Sequence, residues 1–220
     1  MTRLSRRKVA LRANIMGDEL SAVLWPLMAF AFSSSVTPGP NNVMIMTSGM
    51  NYGIRQSMPH FLGICLGFPL MVLFVGLGLG AVFDLFPVLH DILKVLGVAY
   101  LLYLAWLIAK SAPADLNEGK ARPLTFIQSA LFQWVNPKGW VMATGAVAAY
   151  TTVSGDVFLQ VLVIALAFLI VLFPCVGVWL FFGVRLKKVL QQPSHQRAFN
   201  ITMALLLVLS IIPVIGEMIR

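Results

Sequence analysis

Long stretches without charged side chains are the feature that most constrains the fold of this sequence. At most one Asp, Glu, Lys or Arg occurs in each of six stretches, at residues 20–54, 56–83, 92–109, 123–155, 157–184 and 198–216. A transmembrane helix needs about 20 mostly apolar residues, and a soluble domain of this size cannot bury so much apolar surface. The sequence therefore predicts an all-α integral membrane protein with about six transmembrane helices and no second, soluble domain.

Composition supports this class and argues against others. Charged residues make up 11% of the chain and apolar residues 59%, whereas soluble domains contain roughly 25% charged residues. The net charge of +8 does not indicate nucleic-acid binding, because the basic residues lie between apolar stretches, where they orient the spans. Cys65 and Cys175 lie within apolar stretches and are interpreted as packing residues. No metal ion or cofactor is expected.

Two of the stretches are too long to be single straight spans. At about 1.5 Å per residue, 20–54 and 123–155 would each extend roughly 50 Å, against about 30 Å of hydrocarbon. Near the middle of each lies a helix-breaking cluster, Thr37-Pro38-Gly39-Pro40-Asn41-Asn42 in the first and Asn136-Pro137-Lys138-Gly139 in the fourth. Proline removes a backbone donor and glycine loosens the backbone. We therefore predict that the first and fourth helices are interrupted.

The two halves of the chain resemble one another in the positions of these clusters. Laying Pro38 on Pro137 also superposes Val36 on Val135, and the second stretch of each half carries a Phe-Pro pair, Phe68-Pro69 and Phe173-Pro174. This register divides the chain into a basic leader at 1–19, a first three-helix repeat at 20–112, a linker at 113–123 and a second three-helix repeat at 124–220. Because three is an odd number of spans, the second repeat is inverted. Interrupted helices in corresponding positions of inverted repeats indicate a transport site.

The basic residues leave the orientation open. The connections after the first, third and fifth stretches are the richest in Lys and Arg, which favours a cytoplasmic position for them and both termini outside. The basic leader favours a cytoplasmic N-terminus instead. One reconciliation, which we prefer, is that translation starts at Met16; the other is a different number of spans.

The two breaks contain the candidate substrate-binding residues. Broken helix is tolerated at membrane depth only where protein or water satisfies the backbone, so the breaks predict a cavity. The half-helix beginning near Asn41 would direct free N–H groups and a positive dipole end into it, which suits a carboxylate. Lys138 is the one formal charge inside its stretch and would supply a countercharge. The predicted site comprises Pro38, Gly39, Pro40, Asn41, Asn42, Gln133, Asn136, Pro137 and Lys138.

Other interpretations stay open for these residues and for the function. Prolines also kink membrane helices for packing alone, and Lys138 could extend to the membrane interface. A channel-like pore is an alternative to a carrier, because the same cavity could open at both ends. A membrane enzyme is the weakest alternative, since no His-Glu-x-x-His, Gly-x-Ser-x-Gly or nucleotide loop occurs. The histidines His60, His90 and His195 are scattered near stretch ends.

The first break resembles a signature of the LysE/RhtB superfamily of bacterial amino-acid exporters, as does the run that follows it, Gly53-Ile54-Arg55-Gln56-Ser57. Within that superfamily, these residues look most like the cysteine/O-acetylserine exporters. Phe132-Gln133-Trp134-Val135-Asn136-Pro137-Lys138 is similar to that family's second signature, and the similarity runs from about Met16 to the C-terminus. The resemblance implies a secondary exporter of amino acids or close derivatives in the bacterial inner membrane, coupled to protons. We expect alternating access, a small amino-acid-like substrate and the lipid bilayer as partner. Export of homoserine, threonine or leucine stays open, as does a homo-oligomer.

A zwitterionic substrate also needs a partner for its ammonium group. No acid lies in the middle of a stretch, so we expect backbone carbonyls or an aromatic face, Tyr100 or Trp134, to take this role. The acids nearest to a span interior are Asp84 and Asp91, both at stretch ends. If export is coupled to protons, Lys138 or a chain of waters is the alternative carrier.

Overall fold

The computed structural model describes residues 23–79, 85, 87–110, 122–152, 156–189 and 192–218. Within these ranges all regular structure is helical, with no strand, so the all-α prediction is confirmed for them. In chain order the elements are α1 (Val23–Val36), α2 (Pro40–Phe74, continued by a π-helical turn at Val75–Leu79), α3 (Pro87–Lys110), α4 (Phe126–Phe132, continued by a 3-10 turn at Gln133–Val135), α5 (Pro137–Tyr150), α6 (Val157–Val189) and α7 (Pro193–Met218). The predicted leader at 1–19 and most of the linker at 113–123 lie outside the described residues.

Several of these helices have the length and composition of membrane spans. Three segments are long and apolar enough to cross a bilayer, Pro40–Gly78, Val157–Lys187 and Pro193–Ile212, and Val23–Val36 and Val95–Lys110 are shorter apolar helices. Large apolar side chains also lie on the outside of the bundle, where hydrocarbon is a more favourable neighbour than water. The chain is therefore a multi-pass membrane protein, while the arrangement as two inverted three-helix repeats stays a prediction.

Both predicted interruptions are present as helix ends. α1 ends at Val36 and α2 begins at Pro40, while the turn after α4 ends at Val135 and α5 begins at Pro137. Proline is favoured at the first helical position, because its missing N–H would have no intrahelical acceptor there. As helix starts, Pro40 rather than Pro38 corresponds to Pro137. The register that lays Pro38 on Pro137 compares the two halves in sequence, and it stays a prediction.

α2 consists of two helical parts that meet at Gly53. This residue has φ 76° and ψ −178°, a conformation that glycine adopts readily and other residues avoid. Residues 40–52, called here the half-helix 40–52, therefore belong to the first apolar stretch, and residues 54–74 belong to the second. Arg55, the charge that separates these stretches in the sequence, lies directly after this change of direction.

Small residues bring the helices that surround α2 into close contact with it. A Cβ atom on Gly49 would overlap the carbonyl oxygen of Leu180 in α6, and one on Gly183 of α6 would overlap the carbonyl oxygen of Met46. Gly63 lies equally close to the start of α4. Such contacts are typical of membrane helices, whose backbones approach where side chains are small. They hold α2 between α4 and α6, so its first residues lie beside the break that follows α4.

Candidate functional site

Lys138 joins the break before α2 to the break before α5. Its Nζ donates to the Thr37 carbonyl oxygen at 2.9 Å, to the Thr37 hydroxyl at 2.8 Å and to the Pro38 carbonyl oxygen at 3.3 Å. Carbonyl groups beyond the last turn of a helix lack intrahelical donors and carry partial negative charge. An ammonium group has three hydrogens to donate, and it finds three acceptors at the end of α1. Lys138 therefore faces the other break.

A second connection between the breaks is an amide pair. Asn41 Nδ2 donates to Gln133 Oε1 at 2.8 Å, and Gln133 Nε2 donates back to Asn41 Oδ1 at 3.2 Å. Gln133 is fully buried and its Nε2 also donates to the carbonyl oxygen of Ser129 at 2.9 Å. In this conformation the two amides bind each other, so their contribution is to orient the two breaks.

Asn42 stabilises the end of α1. Its Nδ2 donates to the carbonyl oxygens of Ser35 and Thr37, each at 2.8 Å. These carbonyls lie at or beyond the last turn of α1, where the helix itself supplies no further N–H groups. Asn42 thus makes a capping contact that holds the chain in its turn between α1 and α2.

A small cavity of about 30 Å³ lies where the two half-helices begin. Both starts contribute to its wall, together with the end of α1 and apolar side chains from α2, α5 and α6, and the full lining is Ser34, Ser35, Gly39, Asn41, Asn42, Ile64, Phe68, Asn136, Lys138, Gly139, Met142, Leu172 and Val176. Within the described part of the chain, no side chain caps either helix start. Two positive helix ends and one ammonium group therefore converge here, an arrangement that suits a carboxylate.

Two buried polar atoms at this cavity have no hydrogen-bond partner among the described residues. They are Asn136 Oδ1 and Ser35 Oγ, on residues that are 2% and 5% exposed. Leaving such an atom unsatisfied costs about 1–3 kcal/mol, and both atoms can accept a hydrogen bond from an ammonium group. Sequence reasoning missed Ser35. The signal that could have found it is the run Ser33-Ser34-Ser35, which lies in an apolar stretch directly before the break.

All nine predicted site residues lie at these two adjoining breaks, but their contacts differ. Five of them line the cavity, namely Gly39, Asn41, Asn42, Asn136 and Lys138. The other four do not line the cavity but contact or position residues that do. The Pro38 carbonyl accepts a hydrogen bond from Lys138, and Gln133 is hydrogen-bonded to Asn41. Pro40 and Pro137 are the first residues of the two half-helices.

The aromatic rings considered for the ammonium group lie elsewhere. Tyr100 packs against Tyr103 and Phe132, and Trp134 packs against Phe74. Neither is among the described residues that line the cavity, so neither contacts a ligand there in this conformation. The unpartnered oxygens of Asn136 and Ser35 are better placed for this role.

The two cysteines singled out in the sequence are not among the described residues that line this cavity. Cys65 and Cys175 are free and buried in one apolar cluster, which confirms their packing role. Asp84 and the side chain of Asp91 lie outside the described residues. In the described ranges, no group of three or more His, Cys, Asp or Glu side chains is placed to hold a metal ion.

Residues 32–211 match the family model of the LysE type translocators. The chain belongs to the LysE family. The matched region includes both helix breaks and every residue that lines the cavity. The resemblance found at the two breaks is thereby confirmed, and membership of the LysE family indicates a transporter rather than an enzyme.

Relatives of this LysE-family chain are named as efflux proteins. The cysteine/O-acetylserine efflux protein of Escherichia coli (strain K12) is 32% identical over 197 residues, which are 88% of this chain and 96% of the relative. The protein of the same name from Salmonella typhimurium (strain LT2) is also 32% identical over 197 residues, with the same coverage. That of Shigella flexneri is 32% identical over 183 residues, 81% of this chain and 90% of the relative. No solved structure gives a significant match.

Proposed function

We propose that this chain exports cysteine, O-acetylserine or a closely related small amino acid across the bacterial inner membrane by alternating access. The observation that carries the proposal is that two helix starts, 97 positions apart as Pro40 and Pro137, border one cavity and are joined there by Lys138. The LysE family supports transport, and the names of the relatives suggest the substrate class. Their bacterial hosts suggest the inner membrane.

The cavity offers complementary groups to both ends of an amino acid. The substrate carboxylate binds the Lys138 ammonium group and the N–H groups at the starts of α2 and α5. The substrate ammonium group donates to Asn136 Oδ1 and Ser35 Oγ, the two acceptors that lack a partner among the described residues. The substrate side chain lies against the apolar part of the wall, which includes Phe68 and Met142.

The size of the cavity favours a carrier over a static pore. A volume of about 30 Å³ holds about two waters and is too small for an amino acid, so the site must expand to bind one. Lys138 then exchanges its acceptors on Thr37 and Pro38 for the substrate carboxylate, which removes one of the two connections between the breaks and leaves the Asn41–Gln133 pair as the other. The two three-helix repeats, 20–112 and 124–220, would move relative to one another in this step. A pore requires no such exchange.

Coupling to a proton gradient is part of the proposal through the family resemblance. Among the described residues of the cavity wall, Lys138 is the only one with an ionisable side chain. It is therefore the group through which a proton would act, directly or through waters. An imposed pH gradient should then change the rate of export.

Counterflow in proteoliposomes tests the proposed function. Vesicles containing the purified chain are loaded with an unlabelled amino acid, and labelled cysteine, O-acetylserine, homoserine, threonine and leucine are offered in turn, with and without a pH gradient. We expect saturable accumulation of labelled cysteine or O-acetylserine, stimulated by the gradient. Absence of counterflow for the whole panel would refute export, and non-saturating flux with single-channel currents would favour the pore.

A further inference from the structure

A second cavity, with an apolar wall that carries several polar side chains, lies at the other end of the half-helix 40–52. Its volume is about 80 Å³, larger than that of the central cavity. Its polar wall includes Ser48 and Asn51 from the half-helix, His60 from the second part of α2, and Arg122 from the segment before α4, while α3 contributes apolar side chains. A volume of this size holds roughly five waters, so a small organic ligand fits with little expansion.

Three of the polar residues of this second cavity, Ser48, Asn51 and His60, are buried, and one of them has an unsatisfied polar atom. Ser48 Oγ and His60 Nδ1 are hydrogen-bonded at 2.9 Å, and the two residues are 6% and 1% exposed. His60 is thus a buried, bonded residue, although the sequence suggested only a scattered histidine near a stretch end. Asn51 is 6% exposed, and its Nδ2 has no hydrogen-bond partner among the described residues. This buried amide is a donor that a ligand with an acceptor oxygen would satisfy.

Arg122 determines the charge of the ligand that fits. It is exposed and contributes to the wall, and no Asp or Glu is among the described residues that line the cavity. A guanidinium group binds a carboxylate through two parallel hydrogen bonds. Together, Arg122 and Asn51 Nδ2 offer only donors, so the matching ligand group is a carboxylate.

The position of the second cavity relates it to the central one. Asn41, in the first turn of the half-helix 40–52, lines the central cavity, and Asn51, in its last turn, lines the second. Ten residues of helix span about 15 Å, so the cavities lie at opposite ends of one short helix. Arg55, Lys110 and Arg122 all lie near this end, and such clusters of basic residues mark the cytoplasmic side. In the orientation preferred from the sequence, in which these connections are cytoplasmic, the second cavity lies between the cytoplasm and the central cavity.

We propose that this second cavity is a loading site, in which the carboxylate of the exported amino acid binds Arg122 and Asn51 before the molecule moves along the half-helix 40–52 to the central cavity. The identity of the ligand rests on the proposed function; the site itself rests on the cavity, the unpartnered amide and the guanidinium group. An exporter must collect its substrate from the cytoplasm, and a site at this end would raise the local concentration of substrate beside the central cavity.

Equilibrium binding of labelled cysteine to the purified full chain tests the site directly. The wild-type protein in neutral detergent should bind at two sites, and Arg122→Gln and Asn51→Ala should each retain one. Lys110→Gln is the matched control, because Lys110 lies at the same end of the molecule, over the ring of Trp106, and is absent from the described lining of the cavity. It should retain both sites.

Uptake into inside-out membrane vesicles gives the kinetic test, since their cytoplasmic face is outermost. Arg122→Gln should raise KM by about tenfold or more, as expected for the loss of a charge-assisted hydrogen bond, while the maximal rate stays within about twofold because the central cavity is intact. Unchanged KM in both Arg122→Gln and Asn51→Ala would overturn the proposal. An equal rise in Lys110→Gln would also overturn it, because it would indicate only general surface charge.

The outcomes separate this inference from the proposed function. Two binding sites without any transport would refute export and retain only the second binding site, whereas transport with a single binding site would retain export and refute the loading site. No binding of cysteine would refute the loading site for cysteine, while the counterflow panel decides on export. A lipid is the other possible occupant. If cysteine binds at one site only, and phosphatidylglycerol binds without displacing that cysteine and only when Arg122 is present, the second cavity holds a lipid headgroup and the loading site is refuted.

Discussion

Replacing Lys138 with methionine is the most direct perturbation of the central cavity. Methionine retains much of the length of the side chain but has no ammonium group, so the hydrogen bonds to Thr37 and Pro38 are lost. A hydrogen bond to a charged group contributes about 1.5–3 kcal/mol. If the same ammonium group binds the substrate carboxylate, kcat/KM for export should fall by roughly 10- to 150-fold.

The assay is the initial rate of counterflow at several substrate concentrations, normalised to the amount of inserted protein. Lys187→Met is the matched control, because Lys187 is exposed near the end of α6 and is not among the described residues that line the cavity. Lys138→Arg retains the charge in a different shape, so it should keep more activity than the methionine variant.

Stability must be measured alongside, since Lys138 also binds the carbonyl groups at the first break. In the Lys138→Met variant these carbonyl groups lose their hydrogen-bond donor, which should lower the free energy of unfolding by about 1–3 kcal/mol. Thermal unfolding in detergent would detect this as a lower Tm, and membrane insertion should be retained. Wild-type flux from a correctly inserted Lys138→Met variant would refute the role assigned to this residue.

Asn41→Ala and Gln133→Ala each break the same amide pair, so thermal unfolding should show a coupling free energy of about 0.5–3 kcal/mol in the double variant; additive losses would contradict the pairing. Asn136→Ala should raise KM for cysteine in counterflow about tenfold. KM for 3-mercaptopropionate, which is cysteine without its ammonium group, should stay unchanged, because only the ammonium group donates to Asn136 Oδ1. Equal changes in the two KM values would argue against this contact. Gly183→Ala directs a Cβ atom into a backbone carbonyl of α2 and should destabilise the chain by about 1–3 kcal/mol. Gly216→Ala, whose Cβ would meet open space, should have little effect on Tm, and equal Tm values for the two glycine variants would refute the close packing of α6 on α2.

The contracted central cavity and the larger second cavity together describe one conformation of a transport cycle under the proposed function. The two breaks are tied by Lys138 and by the Asn41–Gln133 pair, which leaves space for about two waters only. The cavity near the basic end of the chain has more room. A substrate that binds there first would still require the ties between the breaks to open before it reaches the central site.

Local properties of the sequence were sufficient for the class of protein and for the positions of the two breaks. Hydropathy depends on composition within a stretch, and the effect of Pro40 or Pro137 on a helix depends on the chemistry of that residue alone, so neither requires knowledge of distant contacts. The boundary between the first two apolar stretches is also visible in the sequence, because Arg55 separates them and lies two residues after Gly53, where α2 divides. Even here, the choice of Pro40 over Pro38 as the helix start needed the backbone.

Only the tertiary structure decided which polar groups meet. Lys138 and Thr37 are 101 residues apart in the sequence, and Asn41 and Gln133 are 92 apart, so no local pattern could pair them. The same packing left Asn136 Oδ1 without a partner, whereas Asn42, next to Asn41 in the chain, is used to cap α1. A polar side chain is hydrogen-bonded within the protein only if the neighbouring helices place a partner within hydrogen-bond distance; otherwise it stays available to a ligand. The positions of the neighbouring helices are a property of the assembled bundle.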